Sequence, residues 1–254
     1  MNQIELINVR KDYTTKTLGT VTAVNNFNLT IKKGECFSFL GPSGCGKTTT
    51  LRMLAGFEDL SEGEIRLEGK VVSNKAKNLY VPPEHRNLGM VFQAFAVWPH
   101  LNVFDNVAFP LQVQKRPKAE IEERVNLALK QTNLLDQAKV FPSDLSGGEQ
   151  QRVAIARAIA KNPKIMVFDD SFSALDMKTD AKLRKALGEK TKDASVLIVA
   201  QRISTIINAD NILVLDEGRI VSSGKHEELL KTCDVYAQIA SSQLSNKELG
   251  IEEA

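Results

Sequence analysis

Apolar residues alternate with polar and turn residues from Ile4 to about Ile31, a period of two that predicts antiparallel strands at the edge of a domain. After Gly34 the pattern changes. Glu35-Cys36-Phe37-Ser38-Phe39-Leu40 reads as the first buried strand, and Lys47 to Ala55 reads as a helix, with only a glycine-rich run between them. Short strands are expected at Ile65 to Leu67, Val71 to Val72 and Gly89 to Phe92, the last after a loop closed by Pro82-Pro83. From Val103 to Ala160 the period becomes helical, with Ile121, Val125, Ala128 and Leu129 recurring at spacings of three and four. Apolar β runs return at Ile165 to Phe168, Val196 to Ala200 and Ile212 to Leu215, with a helical stretch over Asp180 to Glu189. Alternating strands and helices imply an α/β fold: a mainly parallel, covered sheet with an antiparallel β edge and a helical insertion. The expected organisation is one domain over 1–240, with its core at about 1–93 and 161–240 and a helical subdomain at about 94–160. A polar, frayed tail is expected over 241–254.

Charge narrows the choice of partners. The 33 basic and 31 acidic residues leave a formal charge of +2, too balanced for the footprint of a nucleic-acid binder. The opening MNQIELINVRKDY has no basic stretch followed by an apolar region, and no apolar run approaches the roughly 18 residues that span a bilayer. The expectation is a cytoplasmic chain that is not itself membrane-spanning. Cys36, Cys45 and Cys233 are odd in number and widely spaced, which fits reduced thiols better than disulfides or a zinc site.

The chemistry begins in the glycine-rich run. Gly41-Pro42-Ser43-Gly44-Cys45-Gly46-Lys47-Thr48 follows a strand and opens a helix, which is where a phosphate-binding loop belongs. Glycines let backbone N–H groups converge on phosphate oxygens, and the helix N-terminus adds positive potential. Lys47 is placed to reach the β- and γ-phosphates of ATP, and Thr48, followed by Thr49, to bind Mg²⁺ through its hydroxyl. A plain glycine-rich turn is the alternative, disfavoured by the Lys-Thr register. Lys164 to Asp169 is a second element: a buried strand ending in a carboxylate, the type of ligand Mg²⁺ needs opposite such a loop. Taken alone, Asp169 also reads as an ordinary loop start.

Leu145-Ser146-Gly147-Gly148-Glu149-Gln150-Gln151-Arg152 opens a further helix. Ser146 with Glu149 forms a capping box, a common way to begin any helix, but Gly147-Gly148 also bares backbone N–H groups to an anion. With this element the chain resembles the nucleotide-binding domain of ABC (ATP-binding cassette) transporters, and the resemblance runs from about Ile4 to Gln238. It implies a P-loop NTPase (RecA-like) fold and a head-to-tail dimer, in which Ser146 to Glu149 face the γ-phosphate held by a second ABC nucleotide-binding subunit. Tyr13 matches the aromatic that stacks on adenine, although a strand-edge tyrosine packing on the core reads almost as well. Gln93 matches the glutamine that touches Mg²⁺ or the attacking water, with a polar loop residue as the other reading. Asp176, in Ser173-Ala174-Leu175-Asp176, matches a loop crossing the dimer interface, and also reads as a helix N-cap. The implied partners are the second cassette, identical or different, and transmembrane permease subunits. The implied location is the cytoplasmic face of the membrane.

Two positions depart from the family pattern. Where a glutamate usually polarises the attacking water stands Asp170, one methylene shorter, and a displacement of ~1 Å in a catalytic group costs about a hundredfold in rate. Where a histidine usually contacts the γ-phosphate stands Gln201, which hydrogen-bonds but cannot become cationic. Both predict firm ATP binding with slow hydrolysis. Residues up to about Lys161 resemble importer ATPases, whereas Phe168 to Asp176, Val199 to Thr205 and Gly224 to Leu230 resemble the degenerate half of heterodimeric exporters. Recombination, fusion and drift of a single lineage all fit this mosaic. Competing functions are an ATP-gated dimerisation switch with negligible turnover, and a soluble ABC protein of translation or DNA repair.

Overall fold

The computed structural model describes residues 2–16, 19–172 and 194–244. In chain order its main elements are β1 (Asn2–Thr15), β2 (Gly19–Lys32), β3 (Cys36–Leu40), α1 (Lys47–Ala55), β4 (Glu62–Leu67), β5 (Lys70–Asn74), β6 (Leu79–Tyr80), β7 (Gly89–Val91), α2 (Val103–Val113), α3 (Lys118–Gln131), α4 (Gly147–Lys161), β8 (Ile165–Asp169), β9 (Ser195–Val199), β10 (Asn211–Asp216) and β11 (Arg219–Gly224). Short helices follow at Ile203–Ile206, His226–Thr232 and Asp234–Gln243. Two compact units result: Met1–Asn87 with Ser195–Ala254, and Leu88–Ala194. None of the described helices is long and apolar enough to cross a membrane.

The first unit holds two sheets. One is antiparallel, in the order β2-β1-β4-β5-β6. Its β1 register, Ile4 opposite Ile31 and Leu6 opposite Leu29, puts the apolar alternation of both strands on one buried face. The other contains β10, β3 and β9 as parallel neighbours, with Leu213 opposite Phe39 and Phe39 opposite Val199, and β11 pairs antiparallel with β10. Strands covered on both faces need no polar side, which is why β3 and β9 read as continuous apolar runs. Phe27 and Phe39 meet edge to face at 5.9 Å and join the two sheets.

Arg86 closes the end of α1. Its buried guanidinium donates to the carbonyls of Met53 and Leu54 at 2.7 and 2.8 Å, to Val81 O at 2.7 Å and to Ser73 Oγ at 2.7 Å. Carbonyls in the last turn of a helix lack intrahelical partners, and a cation there also answers the helix dipole.

In the second unit β7 and β8 run parallel, with Gly89 opposite Met166 and Val91 opposite Phe168. Val103, Val107 and Leu111, one turn apart along α2, are fully buried. Asn102 caps α2 by accepting from Asp105 N at 2.8 Å. Asn106 pins the preceding loop, donating to the carbonyls of Trp98 and Leu101 and accepting from Trp98 N.

The helix expected over 47–55 and the strands expected at β3, β7, β8, β9 and β10 are present, each within two residues. The first unit ends at Asn87 and resumes at Ser195, whereas the periodicity placed the change at about 93 and 160. The reason is packing: β7 rests on α4, so β7 and β8 group with the helices. The unforeseen β11 has half its residues exposed and carries two serines, a weak strand signal. The helix Asp234–Gln243 runs through Ser241, about where the polar tail is expected to begin. The helical stretch expected over 180–189 and the Asp176 loop lie outside the described residues.

Candidate functional site

The first unit carries the glycine-rich loop, Tyr13 and Gln201; the second carries Gln93, Ser146 to Glu149, Asp169 and Asp170. Asp176, predicted at the dimer interface, lies outside the described residues.

β3 delivers the chain to Gly41, and Lys47 begins α1. Two glycines cannot be replaced without moving backbone. A Cβ on Gly41 would lie 2.1 Å from Leu215 O, and one on Gly46, which has φ +98, would lie 2.5 Å from Ala23 O. The loop therefore packs tightly against β10 and β2 on its inner side, while Pro42, Ser43 and Gly44 stay exposed. Lys47 folds back over it, its Nζ donating to Gly41 O at 2.7 Å and to Pro42 O at 2.8 Å. Cys45 is buried beneath, its Sγ 3.4 Å from the same ammonium.

The start of α1 has neither a side-chain cap nor an acidic residue in its first turn. With no carboxylate of its own in the first turn, the positive end of this helix dipole suits an outside anion. α4 is the opposite case. Ser146 Oγ accepts from Glu149 N, and Glu149 Oε2 accepts from Ser146 N at 2.8 Å and Ser146 Oγ at 2.7 Å. Gln137 Nε2 adds a bond to Glu149 Oε1 at 2.6 Å. These donors, Gln137 first and then Ser146, hold the Glu149 carboxyl down at about 2. The capping box predicted from sequence is therefore formed, and Gly147 and Gly148 are the first two residues of the helix.

Tyr13, on β1, donates its hydroxyl to the Glu58 carboxylate, and the Lys11 ammonium lies 5.0 Å from its ring centroid. Burial and the Glu58 carboxylate raise its pKa, while a hydrogen bond from Thr49 works the other way. Tyr13 is thereby tied to the first turn of the phosphate-loop helix.

In the second unit the parallel pairing of β7 and β8 brings the residues after each strand side by side. Gln93 Nε2 donates to Asp170 Oδ2 at 3.4 Å. Asp169 and Asp170 are both buried, and Asp170 has a left-handed backbone, φ +46. Ser171 Oγ ties the turn to Val91 O at 2.9 Å. Gln151 Nε2 donates to Phe92 O at 3.3 Å, and the Phe95 ring lies 3.0 Å from where a Cβ on Gly147 would be. The Gln93 segment and the Ser146 helix are thus one packed assembly. Phe95 carries no motif signal of its own; only the tertiary contact marks it.

Gln201 follows β9 and is exposed, and its carbonyl accepts from Gln243 Nε2 at 2.8 Å. Among the described residues no cluster of three His, Cys, Asp or Glu side chains could hold a metal by itself. The donor types expected from the sequence, a threonine hydroxyl, a glutamine amide oxygen and an aspartate carboxylate, are by chemistry the hard oxygens that Mg²⁺ prefers when phosphate supplies the rest.

A family profile described as "ABC transporter" matches residues 24–173. The chain is 42% identical over 229 residues to the spermidine/putrescine import ATP-binding protein PotA of Haemophilus ducreyi, covering 89% of this chain and 59% of that one. It is 39% identical over 217 residues to the trehalose/maltose import ATP-binding protein MalK of Thermococcus litoralis, covering 84% and 58%. The chain thus spans less than two thirds of the length of these relatives. The PotA alignment is longer than the first 161 residues, so likeness to importer proteins continues beyond Lys161. Among solved structures, the dimeric ATP-binding cassette MJ0796 bound to ADP and Pi superposes with a TM-score of 0.79 at 33% identity, covering 87% of this chain and 98% of that one. A bacterial Atm1-family ABC exporter with ATP bound gives 0.83 at 29% identity, covering 96% and 42%.

Proposed function

The chain belongs to the ABC transporter family of ATP-binding cassettes, and from that premise we propose that it is an ATPase subunit that dimerises on ATP and powers a separate membrane permease. The observation that carries this reading is the start of α1: no side-chain cap, no acidic first turn, and Lys47 folded over the loop beside it. A phosphate chain fits the positive end of that helix dipole. Thr48, Gln93 and Asp169 would hold Mg²⁺, which when bound neutralises charge on the phosphates. Gln93 orients water or metal, and Asp170 takes the proton of the attacking water. Ser146 to Glu149 meet the γ-phosphate bound by the other cassette of the dimer. Asp176 belongs to the loop between the cassettes, and Tyr13 lies beside the adenine.

Turnover is slow, because Asp170 and Gln201 stand where the family carries a longer carboxylate and a cation. The permease places the subunit on the cytoplasmic face of the membrane. Its cargo is a small polar solute, chosen by other subunits. The two importer relatives are named for polyamines and for disaccharides at nearly the same identity to this chain, 42% and 39%, so the cassette carries little cargo preference.

Light scattering with Mg-ATP tests the reading. The wild type shifts to twice its mass, and Lys47→Ala stays monomeric. ATPase rates of the wild type and of Asp170→Glu with Gln201→His decide the slow-site element. A fast wild type, unchanged by both replacements, overturns it.

A further inference from the structure

The final helix, Asp234–Gln243, ends against the loop that carries Gln201. One side-chain amide makes both contacts. Gln243 Nε2 donates to Gln201 O at 2.8 Å, and Gln243 Oε1 accepts from Ile203 N at 2.9 Å. The two bonds fix the orientation of the amide, since a flipped group would set donor against donor and acceptor against acceptor. Ile203 is the first residue of the helix Ile203–Ile206, whose N-terminus has no side-chain cap of its own. Gln243 therefore supplies from 40 residues away the cap that local sequence does not.

The two ends of the final helix are held differently. At its start Tyr236 is fully buried and its hydroxyl lies 2.7 Å from His226 Nδ1, with the rings edge to face at 5.8 Å. At its finish Gln243 and Gln201 are exposed, so the bond between them competes with water and breaks at low cost. The helix is anchored at one end and releasable at the other.

We propose that Gln243 is a positioning residue: it clamps the Gln201 loop and couples the occupancy of the nucleotide site to the C-terminal helix. The inference rests on the reading of Gln201 as a residue facing the γ-phosphate. By linkage, a nucleotide that favours the clamped loop also stabilises the helix end, and a ligand or segment that pulls on the helix end acts on Gln201.

The test is hydrogen exchange by mass spectrometry on the full chain, followed over 201–206 and 234–243, with and without Mg-ATP at concentrations saturating for each variant. In the wild type, Mg-ATP slows exchange at both segments. In Gln243→Leu the 201–206 segment exchanges about two- to fivefold faster without nucleotide, and Mg-ATP no longer slows the 234–243 segment. Gln243→Glu, which keeps the acceptor for Ile203 N but loses the donor to Gln201 O, retains part of the 201–206 protection and loses the coupling. A wild type that binds ATP through Lys47 while its 234–243 segment stays indifferent to nucleotide overturns the proposal. So does Gln243→Leu with coupling intact. ATP binding unaffected by Lys47→Ala overturns the phosphate-loop reading on which the placing of Gln201 at the γ-phosphate depends, and so marks the separate failure of the premise.

Discussion

Gln93 and Asp170 are 77 residues apart in the chain, yet the Gln93 amide donates to the Asp170 carboxylate at 3.4 Å. The contact follows from parallel β7 and β8, whose ends lie side by side. At that length it is a weak, adjustable bond.

Asp170 has φ +46, a conformation that Asp and Asn tolerate better than Glu. Asp170→Asn therefore keeps the turn and removes the base: hydrolysis falls at least ~10-fold with Tm changed by less than about 2 °C. Asp170→Glu gains reach, raising the single-turnover rate about tenfold or more, but lowers Tm by a few degrees through backbone strain of ~1 kcal/mol. Single-turnover assays with thermal melts separate the two effects. Faster hydrolysis by Asp170→Asn would remove Asp170 from the chemistry.

Gly46→Ala is expected to weaken ATP binding by about a hundredfold or more while the chain stays folded, because the added Cβ would lie 2.5 Å from Ala23 O at a backbone φ of +98. Equilibrium binding of a fluorescent nucleotide reads this directly. Gly19→Ala is the control: its φ is +67, but nothing lies within 4 Å of the new methyl.

Arg86→Ala should destabilise the first unit by about 3 kcal/mol, since it removes the partner of the Leu54 carbonyl and of the buried Ser73 hydroxyl and weakens the bonding of the Met53 carbonyl. Arg86→Lys restores the charge but not the fork, and recovers only part of the loss. Urea midpoints rank the three proteins. Burial already lowers the Arg86 pKa to about 10, a sign of the desolvation its hydrogen bonds offset.

Glu149 sets an acid limit. Its folded-state pKa is depressed to about 2 from 4.5, so its contribution is fully present above 4.5 and is lost as pH falls from there through about 2. Melts of the wild type should lose stability across that window. Glu149→Gln should flatten the loss while lowering stability at neutral pH by about 1 kcal/mol, the value of a helix cap. An unchanged acid profile in the variant would show that other carboxylates carry the effect.

Short-range chemistry was legible in the chain itself. Gly41 to Thr48 between a strand and a helix, Ser146 with Glu149 three residues on, and Asp170 after an apolar strand all announce their local geometry, because each depends on neighbours within a turn. β3 and α1 were likewise set by local periodicity and by glycines with few alternatives. The tertiary structure decided what depends on chain brought back from afar: the Gln93–Asp170 bond, the Arg86 cap on α1, the grouping of β7 and β8 with the helices, and the amide of Gln243 on the Gln201 loop. Gln243 shows why. A polar residue this far along the chain has no periodicity and no motif, and its distinction is the two backbone groups, Gln201 O and Ile203 N, that the fold sets in front of it.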